Sequence, residues 1–388
     1  MIAQTLTPME MIERLIGIPT VSSESNLALI EFVRGYLAGH GIESRLTYND
    51  DRSKANLFAT IGPDRAGGIV LSGHTDVVPV AGQPWDSDPF TLTQRGDKLY
   101  GRGTCDMKSF IAIALAMVPT FKQAGLRRPI HFALSYDEEV GCLGAPRMLD
   151  DIALNLPLPA MAIIGEPTSM QLANRHKGDI VFKTVFTGRD GHSSAPHRGV
   201  NAIFAANDFI SCLARMAEQY REQGPFDDSF DPPYTTFNVG QIGGGTAFNI
   251  IARCCELVWE FRPLPSVDPD EVTAQLQAFL NDDLLPRMRR AAEESAIETT
   301  PLCNVPPLMP ETDSPAEALI RVLTGINSAV GVAFGTEGGQ FQRAGIPAVI
   351  FGPGSIQQAH KPNEFIEIAQ VEACVAFMHK LSSWAAST

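Results

Sequence analysis

Four short apolar runs in this chain end in the same chemistry. Ile69-Val70-Leu71-Ser72-Gly73 leads into His74-Thr75-Asp76, and Ile130-His131-Phe132-Ala133-Leu134-Ser135 leads through Tyr136 into Asp137-Glu138-Glu139. Met161-Ala162-Ile163-Ile164-Gly165 leads into Glu166-Pro167-Thr168. Val349-Ile350-Phe351 continues through Gly352-Pro353-Gly354-Ser355 to His360. Runs of this length, alternating with helical patterns, are the strands of an α/β sheet. Open sheets of that class bind ligands beyond the carboxyl ends of their strands. One polar strand end is ordinary. Four that carry only His, Asp and Glu constrain the fold to one that gathers them.

The acidic triplet says what they gather around. Like charges this close repel, and a buried acidic cluster persists when something positive holds it together. A metal ion is the usual answer. If one glutamate of the triplet binds metal, its neighbour stays free to move protons. A fifth element, Gly101-Arg102-Gly103-Thr104-Cys105-Asp106-Met107-Lys108, has the glycines for a tight turn that aims Asp106 at the same point. Nitrogen and oxygen donors without thiolates suit zinc, with cobalt or manganese as substitutes. Two histidines and at least three carboxylates exceed what one tetrahedral ion needs. They match two ions about 3.5–4 Å apart that share a bridging carboxylate. Asp76 is close enough in sequence to take the second N–H of His74, as carboxylates do for metal-bound imidazoles. His40, His131 and His379 read instead as structural histidines.

The rest of the chain divides in two styles. Helical patterns cover 8–16 and 26–40, strands 56–61, 69–72, 130–135 and 161–164, and a well-buried helix 109–118. From about Asp179 alternation takes over, with Ile180, Phe182, Thr184 and Phe186 on one face of a strand. Further strands are expected at 235–242 and 254–261, and helices at 201–219 and 268–280. This texture suits a smaller antiparallel α+β layer. After about Thr300 the first style returns, with a helix at 314–323. The chain therefore reads as an α/β domain, 1–178 and 301–388, interrupted by an inserted domain at 179–300. The Pro-rich stretch 301–310 is the expected second crossing.

Composition excludes several classes. With 388 residues the chain is long enough for two domains, and a formal charge of −14 disfavours a general nucleic-acid or anionic-membrane surface. The seven cysteines include no C-x-x-C pair and no regular spacing, which predicts neither a disulfide framework nor a thiolate zinc site. The first five residues lack a basic region followed by an apolar core, so a cytoplasmic protein without leader or anchor is expected. No Gly-x-Gly-x-x-Gly follows the early strands, which disfavours a nucleotide-binding sheet.

Gly73-His74-Thr75-Asp76-Val77-Val78-Pro79, Gly103-Thr104-Cys105-Asp106-Met107-Lys108, the triplet, Gly165-Glu166-Pro167-Thr168 and His360 together resemble the di-zinc aminoacylase/carboxypeptidase family, in order and over nearly the whole chain. The resemblance implies a zinc-binding catalytic domain with a central, mostly parallel sheet flanked by helices, plus an inserted α+β lid that pairs two subunits. It implies that Asp106 bridges two Zn2+ ions, that His74 and Glu166 complete one site, and that Glu139 and His360 complete the other. Asp76 orients His74, Glu138 is the general base, and His192 reaches across a homodimer to stabilise the oxyanion. Glu138 then takes the proton of the attacking water and delivers it to the leaving amine.

Narrower segments, among them Gly191-His192-Ser193-Ser194, Cys254-Cys255-Glu256-Leu257 and Arg262-Pro263-Leu264-Pro265, resemble the branch of that family that deacylates N-acyl amino acids. This implies N-acetylornithine as substrate and a place in arginine biosynthesis. N-acetylcitrulline, N-succinyl-diaminopimelate and dipeptides are the alternatives. The substrate carboxylate needs a cation, and Arg262 is the first candidate, with Asn249 and Thr336 as neutral donors and Lys177 and Arg175 behind them. Glu337 is a candidate contact for a basic side chain. Cys105 and Gly338-Gly339 depart from the pattern. A catalytically silent relative would lack the base or a ligand, and every expected position is filled.

Overall fold

The computed structural model describes residues 5–387. The chain forms two compact units. The first comprises the chain up to Arg175, Leu308–Gly331 and the chain from Thr336 onward; the second comprises His176–Pro307 and Val332–Gly335. The expected absence of a leader rests on the first five residues, of which 1–4 lie outside the described residues.

An eight-stranded sheet organises the first unit, in the order Ser44–Tyr48, Ala55–Ile61, Ile130–Ser135, Ile69–His74, Met161–Ile164, Ala348–Ile350, Ala173–His176, Val330–Val332. The four strands from Ile130–Ser135 to Ala348–Ile350 run parallel. The pairs outside them, at Ser44–Tyr48, Ala55–Ile61 and Ala173–His176, are antiparallel, so the sheet is mixed. Ile69–His74 and Ile130–Ser135 are buried at every position. Both faces of such strands are covered, which is why they read as continuous apolar runs without alternation.

The helix Lys108–Ala116 is likewise buried at all nine positions. A helix that is apolar all round belongs inside a protein. The reading of 109–118 as one helix runs too long. Met117 closes the first helix, and a second, Val118–Gln123, opens with proline in its first turn. Proline lacks the N–H that would continue the first helix and disfavours helical backbone just before it. At the chain start, Thr7 and Glu10 form a reciprocal capping box, with Pro8 in the first turn of Pro8–Ile16.

The second unit carries a four-stranded antiparallel sheet in the order Thr236–Gly244, Cys254–Arg262, Asp179–Thr187, Ala296–Val305. Burial alternates along Asp179–Thr187, with Ile180, Phe182, Thr184 and Phe186 inward. The helix Ala202–Gln223 packs its Phe209 edge-on against Trp259, ring centroids 5.3 Å apart. Trp259 also stacks on Phe182 at 4.8 Å, a pairing worth about 0.5–1.5 kcal/mol beyond its buried area. Its ring N–H donates to Thr184 Oγ1 at 2.9 Å, so this core hides no unsatisfied indole. Cys254 is exposed and Cys255 buried, as strand alternation requires.

One boundary differs from the sequence reading. Pro301–Val305 is not linker but the end of the strand Ala296–Val305. The strand lies at a sheet edge, and its register shifts between Pro301 and Cys303. Edge strands and bulges are where a strand tolerates proline. Among the described residues no helix is long and apolar enough to cross a membrane.

Candidate active site

Parallel neighbours end at the same edge of a sheet, so the strand order of the first unit sets the site. His74 is the last residue of its strand, and its main-chain partner on the next strand is Ser135, three residues before Glu138. Glu166 follows Met161–Ile164 by two residues, across Gly165. A Cβ on Gly165 would lie 2.1 Å from the Phe110 ring of the buried helix, so only glycine lets the strand end pass that close.

Asp106 sits at the centre. Its Oδ1 lies 3.0 Å from His74 Nε2, and its Oδ2 lies 3.3 Å from His360 Nε2. The two carboxylate oxygens thus address two different imidazoles. His360 Nε2 is also 2.9 Å from Glu139 Oε2. His74 Nε2 is 3.7 Å from Glu166 Oε1 and 4.0 Å from Glu138 Oε2. Ligand atoms of His74, Asp106 and Glu139 lie within 4.8 Å of one another, as do those of His74, Glu138 and Glu166. The side chains of His74, Asp106, Glu139 and Glu166 are no more than 7% exposed, whereas His360 is 54% exposed.

The electrostatics follow from burial. Glu138 and Glu166 are pushed well above the usual carboxylate range by desolvation and by neighbouring carboxylates, against the pull of His74. Glu139 is pushed up to about 7 by burial and the Asp106 charge. Burial works on Asp106 too, but hydrogen bonds with His360 and His74 hold it below its usual value. Hydrogen bonds to Asp106 and Glu139 raise His360 to about 10. His74 is raised as well: desolvation opposes it, and Asp106 and the carboxylates around it win. Among the described residues, the ion pairs of these four carboxylates are with the two histidines alone. Such an excess of buried negative charge is relieved either by protons or by cations. The donor set and the split of Asp106 between two imidazoles fit a pair of divalent ions.

Asp76 works differently from its expected role. His74 Nδ1 lies 2.9 Å from the Asp76 backbone carbonyl, while the nearer carboxylate oxygen is 3.7 Å away. The main chain of Asp76 therefore fixes the imidazole. Its carboxylate accepts from the backbone N–H of Glu138 at 3.1 Å and of Glu139 at 3.3 Å, and from Ser22 Oγ at 2.7 Å. It orders the acidic loop instead. Asp137 turns away and pairs with Lys54.

Glu364 carries a role that sequence reasoning missed. It is 1% exposed, and its Oε1 accepts from the backbone N–H of Gly103 at 3.1 Å, Cys105 at 2.8 Å and Asp106 at 3.1 Å. Its Oε2 accepts from Arg102 Nη1 at 2.6 Å. One buried carboxylate thus fixes the loop that aims Asp106. Its place four residues after His360 is the only trace in the sequence. Glu337 is 1% exposed and accepts from Ser72 Oγ at 3.3 Å. Burial raises it to about 6 against the Ser135 and Ser72 hydroxyls. Thr336, fully buried, accepts the Gly338 N–H at 3.0 Å. Arg175 donates to Asn174 Oδ1 at 3.1 Å. His131 is a structural histidine, bonded to Thr60 at 2.9 Å and to the Gly67 carbonyl at 3.1 Å.

Four further candidates belong to the second unit. Arg262 pairs with Glu260 at 3.1 Å and Asp179 at 3.3 Å. His192 and Asn249 are exposed. His192 Nδ1 lies 2.7 Å from Ser194 Oγ, and the Asn249 carbonyl accepts the Ser193 N–H at 3.1 Å. Lys177 donates to the Pro232 and Tyr234 carbonyls at 2.7 and 2.8 Å.

Comparison with known proteins adds an independent line. Residues 70–383 match the model of peptidase family M20/M25/M40. An acetylornithine deacetylase of Yersinia pseudotuberculosis is 37% identical over 378 residues, 94% of this chain and 93% of that one. One from Proteus mirabilis is 36% identical over 382 residues, covering 97% and 96%. Among solved structures, an M20 metallo-carboxypeptidase of Sulfolobus solfataricus superposes with a TM-score of 0.76 at 17% identity, covering 98% of this chain and 99% of that one. A dinuclear metal-binding M20 peptidase of Bacillus subtilis superposes with a TM-score of 0.62 at 16% identity, covering 97% of each.

Proposed function

Because the chain belongs to peptidase family M20/M25/M40 and is a metal-dependent hydrolase, we propose that it hydrolyses the amide of an N-acyl amino acid, N-acetylornithine in the first place. The observation that carries the chemistry is Asp106, whose two oxygens face His74 and His360 separately. The substrate rests on relatives 37% identical over nearly the full chain that bear the name acetylornithine deacetylase.

Two Zn2+ ions are the proposed cofactors. His74 and Glu166 would hold one, Glu139 and His360 the other, and Asp106 both. Bound there, the pair would polarise the amide carbonyl and make water acidic enough to attack near neutral pH. Glu138 moves the proton. Its Oε2 lies on the His74 side of the cluster, and burial raises its pKa above the usual carboxylate range, the direction that suits a group that takes up a proton and hands it on. Asp76 serves by fixing both His74 and the backbone of Glu138.

In the same reading Arg262, Asn249 and Thr336 receive the substrate. The first unit is the catalytic domain, and the second, His176–Pro307 with Val332–Gly335, is a lid through which two copies pair as a homodimer. His192 of one copy then stabilises the oxyanion on the other, a donor worth about 3–4 kcal/mol of barrier. The enzyme works in the cytoplasm, in arginine biosynthesis. The test ranks kcat/KM of zinc-loaded protein on N-acetylornithine, N-acetylcitrulline, N-acetylmethionine, N-succinyl-diaminopimelate and dipeptides. N-acetylornithine should lead; a poor rate on it beside a good alternative would replace the substrate and leave the hydrolase standing.

A further inference from the structure

The two carboxylate oxygens of Glu138 have different surroundings. Oε2 lies 4.0 Å from His74 Nε2, on the side of the clustered ligands. Oε1 accepts from the thiol of Cys142, with Sγ 3.4 Å away. We infer that Cys142 is a positioning residue for the reaction: its thiol holds Oε1 and so keeps Oε2 presented to the cluster. The inference rests on the reading of Glu138 as the proton carrier.

The contact is built into the backbone. The N–H groups of Gly141 and Cys142 both donate to the Glu138 carbonyl at 2.9 Å, which folds the loop back over Glu138. Cys142 adopts a φ of 52°, an uncommon conformation for a residue with a side chain. Two side chains from elsewhere in the unit hold the turn there. Gln340 Nε2 donates to the Cys142 carbonyl at 3.0 Å, and Asn56 Nδ2 donates to the Gly144 carbonyl at 2.9 Å. Cys142 is 2% exposed, so water does not compete for the thiol's place.

The terminal torsion of a glutamate is broad and roughly two-fold, and nothing intrinsic to the side chain fixes its carboxylate plane. A thiol is a weak donor. Against a carboxylate that is largely desolvated, a weak donor in a fixed place still decides which way the plane lies. Catalysis by a positioned base depends on that orientation.

The experiment uses the metal-loaded enzyme. Cys142→Ala should lower kcat about tenfold, in the range seen when a partner supporting a metal-site residue is removed, with KM and bound metal unchanged. Cys142→Ser, which keeps a donor, should recover most of the loss. The infrared S–H stretch of Cys142, isolated by difference against Cys142→Ser, should shift in Glu138→Gln, because the acceptor loses its charge. Wild-type kcat in Cys142→Ala overturns the inference. So does a loss that Cys142→Ser fails to recover and that tracks a lowered melting temperature, or an S–H band indifferent to Glu138→Gln. If the alanine variant does not fold, the serine variant and the infrared band decide. Full turnover in Glu138→Gln removes the base and this inference together. An inactive Glu138→Gln beside a normal Cys142→Ala removes only the role of the thiol.

Discussion

The two units treat charge in opposite ways. In the first, the buried carboxylates of Asp106, Glu138, Glu139 and Glu166 crowd together beyond the ends of parallel strands, with two histidines as their ion-pair partners among the described residues. In the second, acids meet arginine or lysine at the surface: Glu294 with Arg189, Glu256 with Lys183, Glu260 with Arg262. Its core is aromatic and aliphatic, with Thr184 and Trp259 satisfying each other. The second arrangement is what a sheet needs to fold. The first costs stability and persists where something else gains from it. That difference, more than any single motif, sets the candidate metal ligands of the first unit apart from the rest of the molecule.

The comparison breaks first at Glu138. Glu138→Gln should lower kcat by about 10²–10⁴-fold, the usual worth of a positioned acid–base group, with metal content by mass spectrometry unchanged. Loss of metal along with turnover would make Glu138 a ligand instead, a role its grouping with His74 and Glu166 makes concrete. Asp106→Ala should empty both metal positions, whereas Glu166→Ala and His360→Ala should each empty one. An equal loss in all three would remove the bridging role. A smaller effect is expected at Glu364, which touches no proposed ligand side chain. Glu364→Gln should weaken metal affinity about 10–100-fold through the Asp106 loop. Titration calorimetry on metal-free protein reads this without any assay of turnover.

Much of this was legible in the sequence, for a physical reason. Strands buried on both faces announce themselves as unbroken apolar runs, and parallel order puts their ends together. His74, Asp106, Glu138, Glu139, Glu166 and His360 could therefore be singled out together, although 286 positions separate the first from the last. What stayed hidden depends on backbone contacts. The bonds from Glu364 to Gly103, Cys105 and Asp106 span about 260 positions and follow no periodicity. The Asp76 carboxylate reads as a partner of His74 because it is two residues away. The turn that directs it to the Glu138 and Glu139 amides exists only in three dimensions. Pro301 suggested a linker because proline breaks most strands, and edge position is not written in composition.

A pH experiment sharpens the contrast further. In metal-free protein, Glu139 is raised from 4.5 to about 7 and His360 from 6.5 to about 10. Both folded-state values lie above the unfolded ones, so the folded state binds more protons in each window, and stability falls as pH rises. Melting of the metal-free protein should therefore drop between about pH 4.5 and 10. Metal should reverse the trend, because ligands bind it in their deprotonated forms. A flat metal-free profile would mean that these groups are not coupled as the geometry requires.

The smallest effect belongs to the second unit. Glu294 is lowered to about 2, chiefly by its hydrogen bonds with Arg189. A depressed carboxylate contributes stability above its unfolded pKa, lost as pH falls through about 4.5 toward 2. Yet both partners are 41–50% exposed, and solvent screens such pairs to little or nothing. Glu294→Gln should leave both the melting temperature and kcat at wild-type values at neutral pH. A clear loss of stability there would mean that this surface is covered in solution, and the sharp division between a strained unit and a relaxed one would no longer hold.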